Sequence, residues 1–439
     1  MGLGQPGHRP SMCSLRGAQG AQYINYLLST IILQLYYCKI IWRYEDFGPG
    51  RKRMATTRKK DFHRTVGDRI RLAREVLGLN QKQLSENVGF KDRQTLSAIE
   101  NGQRKVSSAE LLAFIRVLGK DLDYFTDPFR LVGEGVFSWR AQAAPEVLDA
   151  FEEQAKTWIA AYRNLGEELG ETFSPLVHQL GLTYRSAFED AWEAAECLIE
   201  TWNLGPRPAT ILPRIAEERL GILILHVDVK DASISGAACH LPEFNTILVN
   251  RREREGRRIF DFAHELFHLL TWQTMPPEHI DTGQPTGNKA KRIERLADNF
   301  AGALLMPRMA VEGYWNQRAT AEIHDWINRT ADAFGVTAKA LFNRLRALGI
   351  LLPADVMAID EDHLTWNGRM PNERNLPALF SKRFMNRILL ALDKGLLSES
   401  RAARLLDLTP EEMWRVMGLY GLQPAGESFA GNDAVTGYQ

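Results

Sequence analysis

The sequence is poor in cysteine: Cys13, Cys38, Cys197 and Cys239 are the only four in 439 residues, and no two form a CxxC pair. That spacing supports neither a disulfide framework nor a cysteine-type zinc site, and it fits a reducing cytosol. Low-complexity tracts and internal repeats are also missing, which argues against solenoid and fibrous architectures. Net charge is absent, with 54 Lys and Arg against 54 Asp and Glu. So is a clean membrane span. Tyr23 to Trp42 is largely apolar, but Asn25, Ser29, Thr30, Gln34 and Lys39 interrupt it, whereas a spanning helix wants about 20 predominantly apolar residues. No early positive region, compact apolar run and small-residue cleavage site mark a secretory signal.

Residues 1–53 therefore read as a non-native or disordered extension. Met54, followed by Ala-Thr-Thr-Arg-Lys-Lys, stands beside Met1 as a candidate start. A single membrane anchor is the competing reading of that segment. No membrane is favoured, and the expected location is cytoplasmic.

What is present is a soluble globular composition, 45% hydrophobic and 25% charged, in a chain long enough for two or more domains. The zero net charge hides a polarity. Residues 51–126 hold 17 basic against 9 acidic residues, a balance that suits a polyanion partner and equally a solvated basic linker. Within this block, Ile70, Leu72, Ala73, Val76 and Leu77 form a helical stripe ended by Gly78. Gln81 to Val88 makes a second short helix closed by Gly89. Asp92 is a good N-cap for a third, with Leu96 and Ile99 inward and Asn101-Gly102 as the stop, and a fourth runs from about Ser108 to Leu118. The stretch 140–203 is again helical, with a break at Ser174-Pro175. Gly205-Pro206-Arg207-Pro208 marks a boundary, after which 221–227 and 245–250 are strand-like.

The chemistry centres on His264-Glu265-Leu266-Phe267-His268. Histidines at i and i+4 share one helix face, and two imidazoles so placed can hold one Zn2+ while Glu265 projects toward a water-filled fourth position. With 10 histidines, chance alone gives roughly 0.02 such motifs in a chain of this composition. Ile259, Phe262, Ala263, Leu266, Phe267 and Leu270 make the helix too apolar to be a surface element, and buried histidines without a partner are costly. A third ligand must come from elsewhere. Glu294 opens a second amphipathic helix ending at Met306-Pro307, and Asp298, one turn on, is placed to accept from the second ring nitrogen of a ligand histidine. His240 and His279 read as ordinary histidines.

These residues resemble the ImmA/IrrE family of metallopeptidases over about 206–350. The likeness is carried by Arg258-Ile-Phe-Asp-Phe-Ala-His-Glu-Leu-Phe-His268, by Glu294-x-x-Ala-Asp-x-Phe-Ala-x-x-Leu-Leu-Met-Pro307, by Asn250 after a strand and by Phe334-Gly-Val-Thr-x-x-Ala-Leu-x-x-Arg-Leu345. The resemblance implies a gluzincin-like fold, a small sheet beside the metal-bearing helices whose edge strand holds an extended peptide. It also implies His264, His268 and Glu294 as ligands, Glu265 as general base, and a repressor protein as substrate in a stress or mobile-element response. Asp261 and Leu296 depart from the family habit of a small polar and an acidic residue there. The oxyanion-stabilising residue has only a weak candidate, Tyr314.

Upstream, Arg69-Ile-x-Leu-x-Arg74, Gly78-Leu-x-Gln81, Leu84 and Ile99-Glu-Asn-Gly102 resemble the XRE/Cro-type helix-turn-helix. The likeness places residues 92–100 in the DNA major groove, with Arg93, Gln94, Thr95 and Ser97 toward the bases and Gln81 toward a phosphate. One extra residue follows Gly89, and Ala98 replaces a frequent basic residue.

The expected layout is multidomain: an all-α helix-turn-helix domain (62–128), a helical connector (140–205), an α+β gluzincin-like zinc peptidase domain (206–350) and a helical C-terminal region (377–422). The apolar face of that last region serves either intramolecular packing or a homodimer. Two functions fit: a DNA-binding zinc-dependent endopeptidase that cleaves a repressor or related regulator, or a transcriptional regulator whose metallopeptidase domain is a sensor or dimerisation module without turnover.

Overall fold

The computed structural model describes residues 62–141, 145–173, 179–229, 234–277, 280–281, 287–319, 321–364 and 376–424. The extension 1–53, the Met54 start, the Tyr23–Trp42 run, the Ser174-Pro175 break and His279 lie outside them. Among the described residues no helix is long and apolar enough to cross a membrane.

The first unit is all helical: α1 (Phe62–Val76), α2 (Gln81–Val88), α3 (Arg93–Glu100), α4 (Ser108–Leu118) and α5 (Leu122–Thr126). Local chemistry sets its boundaries. Asn80 and Gln83 form a capping box on α2, Asp92 accepts the Thr95 N–H at 2.8 Å on α3, and Ser107 and Glu110 form a second capping box on α4. Gly89, at φ 88°, ends α2 in the left-handed region that a side chain would strain. Val66, Ile70, Leu84, Leu96, Ile99, Phe114 and Phe125 close the core. Arg69 ties this unit onward, donating to the carbonyls of Tyr124 and Arg130.

The second unit is built on a five-stranded mixed sheet in the order β2-β4-β3-β1-β5. Its strands are β1 (Val136–Ala141), β2 (Leu223–Val227), β3 (Ile234–His240), β4 (Asn245–Asn250) and β5 (Ile280–Asp281). β3 and β4 form a hairpin, β2 runs parallel to β4, and β1 pairs antiparallel to β3 with Arg140 opposite Gly236. The alternation of strand side chains gives the sheet two buried faces. Ile224, Ala238, Ile247 and Val249 meet α7 (Phe188–Trp202), α9 (Glu255–Thr271) and α10 (Asn288–Leu305) on one side. Phe137, Trp139, Leu223, Leu225, Ala237 and Leu248 meet α6 (Pro145–Glu168) and the C-terminal helices on the other. In chain order α8 (Leu212–Glu218) follows α7, and after α10 come α11 (Arg308–Asn316), α12 (Ile323–Phe334), α13 (Ala338–Ala347) and α14 (Pro353–Ala358).

Two findings extend the sequence reading. Residues 136–141, just before the expected helical stretch, are a sheet strand, and β1 lies along the edge of β3. The C-terminal helices α15 (Lys382–Asp393), α16 (Glu399–Leu405) and α17 (Pro410–Leu419) are built into the second core, where Phe384, Ile388, Ala402, Leu406 and Met413 are buried. Their apolar faces are thus spent on intramolecular packing. Leu379 accepts the His226 N–H at 2.9 Å and Phe380 bridges to Leu225, which caps the β2 edge. Arg387, 1% exposed, ion-pairs with Glu171 and lies 3.7 Å over the Tyr162 ring, pinning α15 to α6. Cys239 is a buried free thiol.

His226 on β2 makes a pH prediction. Burial, reinforced by Arg258 and Arg251, lowers its pKa to about 4 from 6.5. The folded-state pKa is depressed, so the unfolded chain takes up this proton first, and stability drains away as pH falls from about 6.5 toward 4. His226→Gln should show a shallower loss of urea midpoint across that window than wild type. Equal slopes would remove His226 as the cause.

Candidate metal centre and DNA-binding face

Helix α9 is buried on almost every side: His264, Glu265 and His268 are each 1–2% exposed. The sheet admits it because Gly236 faces it. A Cβ there would stand 2.8 Å from the Leu248 carbonyl and 3.7 Å from Cγ of Glu265, so a side chain at 236 would push the helix away from the strand. Helix α10 crosses α9 with Ala297, Phe300, Ala301 and Leu304 inward, and Phe267 packs on Phe300 at 5.4 Å.

This packing brings the expected residues together. Nε2 of His264 lies 3.1 Å from Nε2 of His268 and 3.0 Å from Oε2 of Glu294, and Nε2 of His268 lies 3.6 Å from Oε1 of Glu294. One ligand atom from each of the three falls within 4.8 Å of the others. Zinc bound tetrahedrally at 2.0–2.1 Å spaces its ligand atoms about 3.3 Å apart, so the donor set fits that ion. Nδ1 of His264 meets Oδ1 of Asp298 at 3.0 Å, a hydrogen bond that leaves Nε2 of the neutral ring as the lone-pair donor.

The carboxylates around His264 favour positive charge at this point. Burial and Arg140 push His264 toward the neutral form, but hydrogen bonds to Asp298 and Glu294 outweigh them and raise its pKa to about 10. Burial also opposes ionisation of Glu294, yet the two histidines hold it well below the usual carboxylate range. Glu265 goes the other way. Its burial raises its pKa, opposed by His268, His264 and Arg140.

Sequence reasoning missed Arg140. Its guanidinium reaches Oδ1 of Asp261 at 3.1 Å and Oδ1 of Asp298 at 3.9 Å. Asp261, fully buried, also accepts from Nε of Arg257 at 2.9 Å. The departure of Asp261 from the family habit thus has a physical account: it anchors β1 to the HExxH helix. The buried pair Phe137 and Trp139, two residues apart, was the available signal for that strand. Leu296, the other departure, is a core residue. Asn250 is a buried clamp whose amide donates to the carbonyls of Ile234 and Val229. His240 pairs with Asn245, and the Tyr314 ring packs on Phe334 at 5.1 Å.

On the first unit, Arg93 and Gln94 stand exposed at the start of α3, while Thr95 and Ser97 are half-buried. The side-chain amide of Gln81 donates to Oε2 of Glu100 at 2.7 Å, within a network that includes Arg74.

Fold and site together define a helix-turn-helix domain followed by an α+β domain bearing an HExxH cluster. Family models describe the same two parts: residues 70–125 match a helix-turn-helix family, HTH_3, and residues 217–346 match the IrrE N-terminal-like domain, Peptidase_M78. The chain carries these two domains in that order. Among solved structures, PlcR of Bacillus thuringiensis in complex with the peptide PapR7 and DNA is similar at 14% identity, covering 82% of this chain and 93% of that one at a TM-score of 0.15. The apo form of the competence regulator ComR from Streptococcus vestibularis is similar at 11% identity, covering 83% and 100% at a TM-score of 0.15. No curated protein matches the chain.

Metal content tests the cluster. Wild type is expected to bind one equivalent of zinc, and His264→Ala and Glu294→Ala to lose it. Asp298→Ala should weaken binding by about 10–100-fold through loss of the orienting hydrogen bond. A Glu294→Ala protein with unchanged zinc affinity would remove Glu294 from the ligand set.

Proposed function

We propose that the protein is a cytoplasmic DNA-binding zinc-dependent endopeptidase that cleaves a transcriptional repressor or related regulator. The observation that supports it most is the convergence of His264, His268 and Glu294 on one point with Glu265 buried beside them. Nε2 of each histidine and the Glu294 carboxylate would hold Zn2+, which when bound polarises a carbonyl and acidifies a water molecule. Asp298 fixes the His264 tautomer. Glu265, with raised proton affinity, accepts the proton of the attacking water at its carboxylate and delivers it to the departing amine. Residues 92–100 would place the enzyme on DNA, where its substrate resides. Arg93 suits guanine, Gln94 suits adenine, and Thr95 and Ser97 add contacts at the same helix face.

A second reading has its own support. β1 fills the edge of β3 beside Glu265, where an extended substrate would add a strand, and both histidines are buried. In this reading the domain senses or dimerises without turnover, and the protein is a transcriptional regulator.

Glu265→Gln separates the two. It should keep its zinc and lose repressor cleavage by about a hundredfold or more. Wild type that binds zinc yet cuts neither a repressor nor itself would favour the sensor. On the DNA side, Arg93→Ala and Gln94→Ala should each cost roughly 1–3 kcal/mol of specific binding in a salt-controlled shift assay. An unchanged shift would dismiss both as base readers.

A further inference from the structure

A cavity of about 430 Å³, within the size range of small-molecule sites, is lined by Arg257 and Phe260 of α9 and by Asp298 and Asn299 of α10. Its charged lining is unbalanced: Arg140, Arg257, Arg295, Lys339 and Arg344 face it, with Asp298 the lining carboxylate. Part of that charge is already answered. Arg140 and Arg257 share Asp261, Lys339 pairs with Glu361 at 2.8 Å, and Arg344 reaches Glu196 at 3.1 Å and the Met306 carbonyl at 3.1 Å.

Two groups are left over. Nη1 of Arg344 is buried and has no hydrogen-bond partner among the described residues, although the residue is 3% exposed. Arg295 lies 4.9 Å over the Phe188 ring and has no carboxylate partner among the described residues. A buried guanidinium N–H without an acceptor is costly. Burial also brings the Arg344 pKa down to about 10, against the Glu196 carboxylate, so the site retains a charge whose desolvation it does not fully offset. Trp192, 5.3 Å from the Arg344 guanidinium, supplies an aromatic wall.

We propose that this cavity binds an anionic ligand bearing a phosphate or carboxylate group, with the guanidinium-bearing side chains of Arg344 and Arg295 in its wall. The group arrives either on a free small anion or on an acidic side chain of a bound protein. A planar guanidinium fork recognises either oxyanion in the same way. The site does not require peptide-bond cleavage, so it stands or falls apart from the enzymatic reading.

The test is calorimetric titration of the full-length zinc-loaded protein at constant ionic strength, with inorganic phosphate in one arm and a hexaglutamate peptide in the other. Saturable one-to-one binding is expected in at least one arm, weakened at least tenfold in Arg344→Met and in the double variant Arg295→Glu, Lys339→Glu. The exposed Arg415→Glu should leave it unchanged. The double variant carries the test if Arg344→Met fails to fold. Binding of phosphate assigns the site to a free anion, and binding of the peptide alone assigns it to an acidic protein segment. No saturable binding in either arm, or binding indifferent to both cavity variants, would overturn the proposal.

Discussion

The carboxylate of Asp261, fully buried one turn before His264, constrains much of what surrounds the metal centre. An isolated charge at that depth would be several kcal/mol out of balance, and two guanidiniums resolve it. Arg257 comes from the same helix, but Arg140 comes from a strand 121 residues earlier in sequence. Holding Arg140 there requires β1 to lie along β3, and β1 brings Phe137 and Trp139 to the opposite face of the sheet. Those rings then need cover, which α6 and the C-terminal helices provide. A single buried charge on the HExxH helix is thus linked, contact by contact, to the packing of segments that look independent in sequence.

The helix-turn-helix unit repeats this logic on a smaller scale. Glu100, 2% exposed at the end of α3, accepts from Nε of Arg74 at 2.7 Å and from Gln81 at 2.7 Å. The three residues come from α1, α2 and α3, so one buried carboxylate sets the angle at which the recognition helix projects. Arg93 and Gln94 stand exposed at the start of α3 beside this network. Rigidity of the reading head is therefore set by the same network.

The elements that carry their own signals were legible in the sequence. Helix α3 begins after the N-cap Asp92 and α4 ends at Gly119 because those residues act locally. His264, Glu265, His268, Glu294 and Asp298 could be named because helical spacing fixes which side chains share a face. What could not be read depends on pairing between distant segments. β1 is six residues long, and its partner β3 lies roughly a hundred positions away, so nothing local in Val136–Ala141 specifies the neighbour. Arg140 was missed for that reason. The bond from Gln81 to Glu100 was not legible because the two residues belong to different helices. The C-terminal helices read as amphipathic, but amphipathicity does not say whether the covering surface is the same chain or a second copy.

The arrangement also links the strand to the candidate metal ligands. Arg140 stands between Asp261 at 3.1 Å and Asp298 at 3.9 Å, and Asp298 in turn holds Nδ1 of His264 at 3.0 Å. Withdrawing Arg140 would leave Asp261 with a single, partly exposed cation and would free Asp298 to interact more strongly with His264. β1 position and ligand basicity are therefore two readings of one electrostatic balance. An enzyme built this way gains access to β3 only by giving up the charge pairing that positions its second carboxylate, which opposes spontaneous opening. A sensor built this way gains a direct line from strand displacement to the metal. Both readings draw on the same three side chains, and what separates them is whether Glu265 turns over once the β3 edge is free.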